Sequence, residues 1–136
     1  MSQPPVFTAT TRDIRVSVRA FFLEDQSNPE QSHFVWAYRV TIENLGSLTV
    51  QLLKRSWQIT DAHGRMQQVH GPGVVGEQPV LEPGESFEYT SGTPLSTPSG
   101  FMRGAYHMVE RDSGEPFDIA IPAFSLDSPH QAGAVH

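Results

Sequence analysis

The chain has 136 residues, no cysteine and a formal net charge of −6 at pH 7. This length fits one domain with a single hydrophobic core. The absence of cysteine excludes a disulfide framework, a thiolate zinc site and a cysteine nucleophile. Nucleic-acid binding is not expected, because it requires clustered Lys and Arg. Since neither a signal peptide nor an apolar run of about 20 residues is present, we expect a cytoplasmic protein without membrane insertion.

Short segments with two-residue hydrophobic periodicity alternate with turns throughout the chain. Eleven glycines and eleven prolines supply the turns, and no segment shows a sustained helical period. The pattern predicts seven or eight antiparallel strands. They cover residues 12–23, 33–44, 48–53, 55–61, 65–69, 86–91, 101–111 and 116–126, with 48–53 and 55–61 forming either two strands or one bent strand.

Such a strand series predicts a two-sheet antiparallel β-sandwich, with a closed barrel as the second choice. The predicted domain spans residues 12–127, between a flexible N-terminus at 1–11 and a flexible tail at 128–136. Gly104 lies inside a predicted strand, which indicates a β-bulge or a close backbone contact. Pro122 would interrupt a strand ladder, so we expect it at a sheet edge.

A glycine-rich loop holds the most distinctive motif of the chain, a G-x-G-x-x-G pattern at Gly71, Gly73 and Gly76. A dinucleotide-binding loop needs a following helix, which the prolines after this motif prevent. The glycines therefore either supply positive φ angles for tight turns or form a backbone nest that binds phosphate. For the second interpretation, Arg65 and Arg103 would have to offset four nearby glutamates.

No catalytic or metal-binding arrangement is recognisable from spacing alone. Asp61, His63 and His70 flank a predicted hairpin and could converge on a metal ion, but solvated side chains are the simpler interpretation. No serine lies in a G-x-S-x-G elbow, and no Ser–His–Asp set can be assigned. We therefore predict no enzymatic activity, no metal site and no cofactor.

Several blocks of the sequence resemble the ApaG family in order and spacing. The resemblance extends from about Arg12 to Leu126, and its two most specific parts are an R-x-W motif and the glycine block. The blocks are R-x-W at Arg55 and Trp57, H-G-P-G-V-V-G-E-Q-P at residues 70–79, P-G-E at 83–85, Y-T-S-G at 89–92, G-F-M-R-G-A-Y-H-M at 100–108 and F-D-I-A-I-P-A-F-S-L at 117–126.

The resemblance implies an immunoglobulin-like, fibronectin type III-like β-sandwich. In bacteria the family is associated with cobalt tolerance and magnesium efflux, and a similar domain occurs in eukaryotic F-box proteins. This reuse favours a non-enzymatic module that binds an as yet unidentified protein partner. The alternative is a sensor that binds a nucleotide polyphosphate, pyrophosphate or a divalent cation at the glycine loop. A homodimer formed through an edge strand near Pro122 is a further expectation.

Overall fold

A computed structural model describes residues 4–130, which form nine strands in two antiparallel sheets. Two short 3-10 helices, Glu24–Gln26 and Pro29–Gln31, follow the second strand. No helix in this part of the chain has the length and apolar character needed to cross a membrane. The strands are β1 Phe7–Thr11, β2 Ile14–Phe22, β3 Phe34–Asn44, β4 Val50–Asp61, β5 Met66–Pro72, β6 Val80–Leu81, β7 Ser86–Leu95, β8 Ser99–Glu110 and β9 Pro116–Asp127.

The two sheets pack face to face and enclose one core, which confirms the predicted β-sandwich. The first sheet has the strand order β1-β2-β3-β7, and the second has the order β5-β4-β8-β9 with β6 also paired to β4. Alternating side chains of β2 and β3 are buried, as the two-residue period predicts. The largest fully buried side chains include Trp36, Tyr106, Phe124, Ile14, Ile42, Leu52 and Met102.

Strand β4 contains a β-bulge that reverses which residues face the core. Before the bulge Leu52 is buried, and after it Trp57 and Ile59 are buried. The register with β8 shifts between Leu52 and Lys54, so one extra residue changes the parity of the strand. The two predicted segments 48–53 and 55–61 thus correspond to one bent strand that begins at Val50, which was one of the two predicted alternatives.

The N-terminal segment contains a strand that the sequence pattern did not predict. Phe7–Thr11 pairs with β2, although residues 1–11 were expected to be flexible. Three of its five residues are threonines, which favour extended backbone but give no clear hydrophobic alternation. In the predicted flexible tail, His130 packs against Phe22 and its Nε2 lies 3.0 Å from Glu24 Oε2. The rest of that tail, 131–136, lies outside the described residues.

The later strands also run further than predicted. Strand β5 extends to Pro72 and so includes Gly71, while β7 continues to Leu95. The register of β8 and β9 shifts between Met102 and Gly104 because β9 has one residue more than β8 there, so the bulge lies in β9 next to Pro122. A Cβ atom at Gly104 would clash with the carbonyl oxygen of Ser56, so Gly104 makes the close backbone contact that was the other predicted alternative. The strand that carries Pro122 is the last in the order of its sheet, as predicted.

Candidate functional site

The bulge in β4 positions Arg55 to hold the glycine loop. Arg55 is half-buried, and its Nη1 donates hydrogen bonds to the carbonyl oxygens of Pro72 at 3.0 Å and Gly73 at 2.8 Å. A Cβ atom at Gly71 would lie 3.0 Å from the same Nη1, closer than ordinary packing allows. Gly71 is therefore needed because the arginine side chain crosses its position.

The bulge also exposes a carbonyl oxygen that holds the far side of the loop. Leu53 O accepts the backbone N–H of Gly73 at 2.8 Å and the side-chain amide of Gln78 at 2.9 Å. The carbonyl of Pro79 in turn accepts the N–H of Leu52 at 3.0 Å. The bulge and the loop, which are far apart in sequence, therefore form one structural unit.

The tip of the loop is a tight two-residue turn. Val74 and Glu77 exchange two backbone hydrogen bonds of 2.8 Å, and Val74 is buried in the core. Between them, Val75 has a φ of 43° and Gly76 a φ of 81°, the positive pair that defines a type I′ turn. Gly73 also has a positive φ of 61°. Each glycine of the motif thus meets a local steric requirement.

The two arginines that were predicted to support phosphate binding lie on different elements, and neither belongs to the glycine loop. Arg65 lies in the turn before β5, where its Nε donates to Asp61 Oδ2 at 2.9 Å, six residues from Gly71. Arg103 lies on β8 opposite Gln58 and donates to its Oε1 at 2.8 Å. In the loop itself, the amides of Gly73, Val74 and Glu77 donate to carbonyl oxygens of the chain. Phosphate binding at Gly71, Gly73 and Gly76 stays a prediction.

Asp61 and His63, which were considered as metal ligands, belong to the β4–β5 turn. The Asp61 carboxylate accepts the backbone N–H groups of His63 at 2.9 Å and Arg65 at 3.0 Å. Desolvation raises the pKa of Asp61, but these bonds together with the side chain of Arg65 outweigh it and lower the pKa. His70 lies at the other end of β5. Over residues 4–130, no group of three or more His, Cys, Asp and Glu side chains is arranged to hold a metal ion.

A buried tyrosine pair lies between the sheets in the field of Arg55. The hydroxyls of Tyr89 on β7 and Tyr106 on β8 form a short hydrogen bond with each other. Burial raises the pKa of both phenols above the ordinary value, and the charge of Arg55 partly opposes that rise. The pair joins the two sheets through polar groups that are satisfied inside the core.

The outer face of the second sheet carries both exposed apolar side chains and a groove with polar side chains. We define it by the outward side chains of β4, β5, β8 and β9. Met66 and Phe101 lie on either side of Thr60 and are 54% and 43% exposed. Beside them a groove of about 480 Å³ crosses the strands. It is lined by Ser56, Trp57, Gln58, Gln68, His70, Arg103, Gly104, Ala105, Ile121 and Ala123.

A hydrogen-bonded row of four side chains crosses this outer face. Asp118 Oδ1 lies 2.8 Å from His107 Nδ1, and His107 Nε2 lies 2.7 Å from Ser56 Oγ. His70 Nδ1 completes the row at 3.0 Å from the same Oγ. The four residues come from β9, β8, β4 and β5, which are neighbours in the sheet. Ala105 lies opposite Ser56, and its small side chain leaves space for the imidazole of His107.

The ionised carboxylate of Asp118 fixes the direction of every hydrogen bond in this row. Because the carboxylate only accepts, neutral His107 must carry its proton on Nδ1. Its Nε2 is then an acceptor, so the Ser56 hydroxyl donates to it and His70 Nδ1–H donates to Ser56. The Ser56 hydroxyl is thus oriented by the tautomer of His107.

Sequence reasoning missed this row because its members are far apart in the chain. Ser56 and His107 are separated by 51 residues, and His107 and Asp118 by 11. The available signal was the alternation of side chains along a strand. Trp57 and Tyr106 face the core, so their neighbours Ser56 and His107 face outward. Their pairing depends on the register between β4 and β8, which the hydrophobic pattern alone does not specify.

Together these features define a β-sandwich domain in which an arginine on a bulged strand holds a glycine-rich loop through hydrogen bonds. Comparison with known proteins identifies the family. The ApaG domain model matches residues 24–110. Protein ApaG of Paramagnetospirillum magneticum is 68% identical over 126 residues, which cover 93% of this chain and 96% of that protein. The chain belongs to the ApaG family, as the sequence blocks predicted.

Other relatives agree with this assignment. Protein ApaG of Rhodospirillum centenum is 66% identical over 125 residues, which cover 92% of this chain and 95% of that protein. The crystal structure of the ApaA protein from Bordetella pertussis has 47% sequence identity and a TM-score of 0.83, covering 96% of this chain and all of that one. The two-sheet fold and the family are therefore supported by independent comparisons.

Proposed function

We propose that this ApaG domain binds a protein partner through the outer face of its second sheet. The observation that carries the proposal is the pair Met66 and Phe101, two large apolar side chains on one sheet face, each about half exposed. They are separated by one strand, which corresponds to roughly 10 Å. Exposed apolar groups rimmed by polar side chains are typical of protein-binding surfaces.

The polar surroundings of this pair also suit partner recognition. Gln58 lies between Gln68 and Arg103 in the adjacent row, and all three side chains point outward. Amide and guanidinium groups supply directional hydrogen bonds, and arginine is enriched at interfaces. The neighbouring groove over Gly104 could receive one side chain of the partner. We assign the apolar anchors and the polar rim to the same binding surface.

Partner capture with matched variants tests this proposal. The purified chain, Met66→Asp/Phe101→Asp and Leu45→Asp/Leu48→Asp serve as baits in native lysate, with bound proteins quantified by mass spectrometry. The second pair is equally exposed, at 53% for each residue, but lies in the β3–β4 connection. We expect the first variant to lose specific partners and the second to retain them. The opposite result would move the binding surface to Leu45 and Leu48.

We connect the family's association with cobalt tolerance and magnesium efflux to the partner of the domain. We propose that the domain acts in the cytoplasm on a protein that controls divalent cations. If so, a chromosomal Met66→Asp/Phe101→Asp variant should have the cobalt sensitivity of a deletion strain, while Leu45→Asp/Leu48→Asp should resemble wild type. Equal cobalt tolerance in all three strains would contradict this part of the proposal.

The alternative function is a sensor that binds a nucleotide polyphosphate, pyrophosphate or a divalent cation at the glycine loop. Val75 lies at the exposed tip of this loop, and Asp and Asn both tolerate its positive φ. Val75→Asp adds a negative charge, and Val75→Asn is its neutral control. Calorimetric titration with ATP, diadenosine tetraphosphate, pyrophosphate, magnesium and cobalt should show weaker anion binding for Val75→Asp only. No binding to the wild-type chain would remove this alternative.

A homodimer through the edge of β9 near Pro122 is a separate proposal. Strand β9 ends the order of its sheet, and β1 and β2 pack against it. Light scattering over a concentration series tests the dimer directly. A monomer at the highest concentration would contradict it.

A further inference from the structure

We propose that Ser56 is a nucleophilic serine that accepts an acyl group from an activated carboxylic ester. The inference goes beyond partner binding and is independent of it. It is based on the row Asp118–His107–Ser56, whose two hydrogen bonds of 2.8 and 2.7 Å have the order of a carboxylate, an orienting imidazole and a hydroxyl.

The proton arrangement in this row activates the hydroxyl. With Asp118 ionised, His107 holds its proton on Nδ1 and presents the lone pair of Nε2 to the Ser56 O–H group. His107 can therefore act as the general base, and Asp118 keeps the imidazole in the required tautomer. Asp118 is a positioning residue, since its contact is with His107 and not with the reacting hydroxyl.

The groove beside Ser56 provides space and charge for the acyl donor. Ser56 is half-buried and lines the 480 Å³ groove together with Arg103. Arg103 is opposite Gln58, two residues from Ser56 on the same face of β4, or roughly 7 Å away. Backbone N–H groups around Ser56 belong to strand ladders, so the positive charge of Arg103 must stabilise the oxyanion. The small residues Gly104 and Ala105 also line the groove.

The reaction balances without a further reactant. Ser56 Oγ attacks the carbonyl carbon of the ester as its proton moves to His107 Nε2. The tetrahedral intermediate then breaks the bond between that carbon and the leaving oxygen, which takes the proton from His107. The products are the Ser56 ester and the free alcohol or phenol, and His107 returns to its neutral form.

Acetylation by p-nitrophenyl acetate tests the proposal on the full chain. The release of p-nitrophenol gives the rate, and intact mass with peptide mapping gives the site. We expect one acetyl group on Ser56 in the wild-type chain. In His107→Gln the rate should fall by about 100-fold or more, the smallest effect usual for loss of a general base. Asp118→Asn should also slow the reaction. Ser17→Ala is the matched control, since Ser17 is a half-buried strand residue between Thr8 and Thr41.

Peptide mapping also separates the proposal from ordinary surface acetylation. Lys54, the single lysine of the chain, lies opposite His107 and is the main competitor. Acetylation of Lys54 in place of Ser56, or equal rates for wild type and His107→Gln, would overturn the proposal. Thermal unfolding verifies that each variant is folded. Acetylation is measured on the purified chain without a partner, so failure of this inference is distinguishable from failure of the binding proposal.

Discussion

The guanidinium of Arg55 occupies the space that a side chain at Gly71 would need, with Nη1 only 3.0 Å from the position of a Cβ atom there. The two residues face each other in the β4–β5 ladder. The R-x-W motif and the glycine block therefore describe one contact, in which an arginine crosses a glycine and holds the carbonyl oxygens that follow it. A structural requirement thus explains why both motifs occur in this chain.

The coupling between these two residues is measurable. Gly71→Ala should lower the free energy of unfolding by about 1–2 kcal/mol, because the displaced guanidinium loses hydrogen bonds to Pro72 and Gly73. In an Arg55→Ala background the same substitution should cost at least about 0.5 kcal/mol less. Urea unfolding of the four proteins gives the coupling energy. Additive effects of the two substitutions would show that the contact does not restrict Gly71.

The glycines of the loop should differ in their sensitivity to substitution. Gly73→Ala combines a positive φ with a clash against the Glu77 carbonyl, so we expect a loss of at least about 2 kcal/mol. Gly76→Ala has the positive φ but open space around the Cβ position, and should cost about 1 kcal/mol. Denaturant unfolding ranks the two variants. A larger loss for Gly76→Ala would contradict the structure of the loop.

Val75 is a position at which substitution should stabilise the protein. It is a β-branched residue with a φ of 43° and is 57% exposed, so it has backbone strain and little burial. Val75→Asn gives the Asn-Gly pair that type I′ turns favour and should add about 0.5–1 kcal/mol. Calorimetry would show a higher Tm. Val80→Asn, at another exposed valine, is the control and should not stabilise.

The buried tyrosine pair should make stability decrease at alkaline pH. Burial raises the pKa of Tyr89 and Tyr106, so above the ordinary tyrosine pKa of about 10 the unfolded chain releases protons that the folded chain retains. The free energy of unfolding must then fall as pH rises past 10. Urea unfolding from pH 9 to about 11.5 measures this slope. The variant Tyr89→Phe/Tyr106→Phe should have a smaller slope. Equal slopes for the variant and the wild-type protein would contradict the role of this tyrosine pair.

Hydrophobic periodicity was sufficient to predict the architecture, because strands such as β2 and β3 alternate between core and solvent along their length. It failed where that alternation was interrupted or weak. The extra residue near Leu53 divided the pattern of β4, and the threonines of β1 gave almost no pattern. Strand β6 has two residues, too few for any period to appear.

The candidate sites depended on information that a single sequence does not contain. The glycine motif was recognisable in the sequence. Its contact with Arg55, however, depends on the bulge that changes which residues of β4 face the core. The row from Asp118 to Ser56 requires the register of three strands, and one-residue shifts would turn these side chains to the opposite face. Local motifs were therefore predictable, whereas contacts between distant strands required the structure.

Site-specific photocrosslinking tests the central proposal, that the outer face of the second sheet binds a protein. A benzophenone amino acid replaces Phe101 in one preparation and Leu45 in another, and each is irradiated in native lysate. Both positions are exposed, at 43% and 53%, so both crosslinkers are accessible from solvent. The proposal predicts one dominant crosslinked protein from position 101 and none from position 45. Crosslinking from position 45 alone would contradict it.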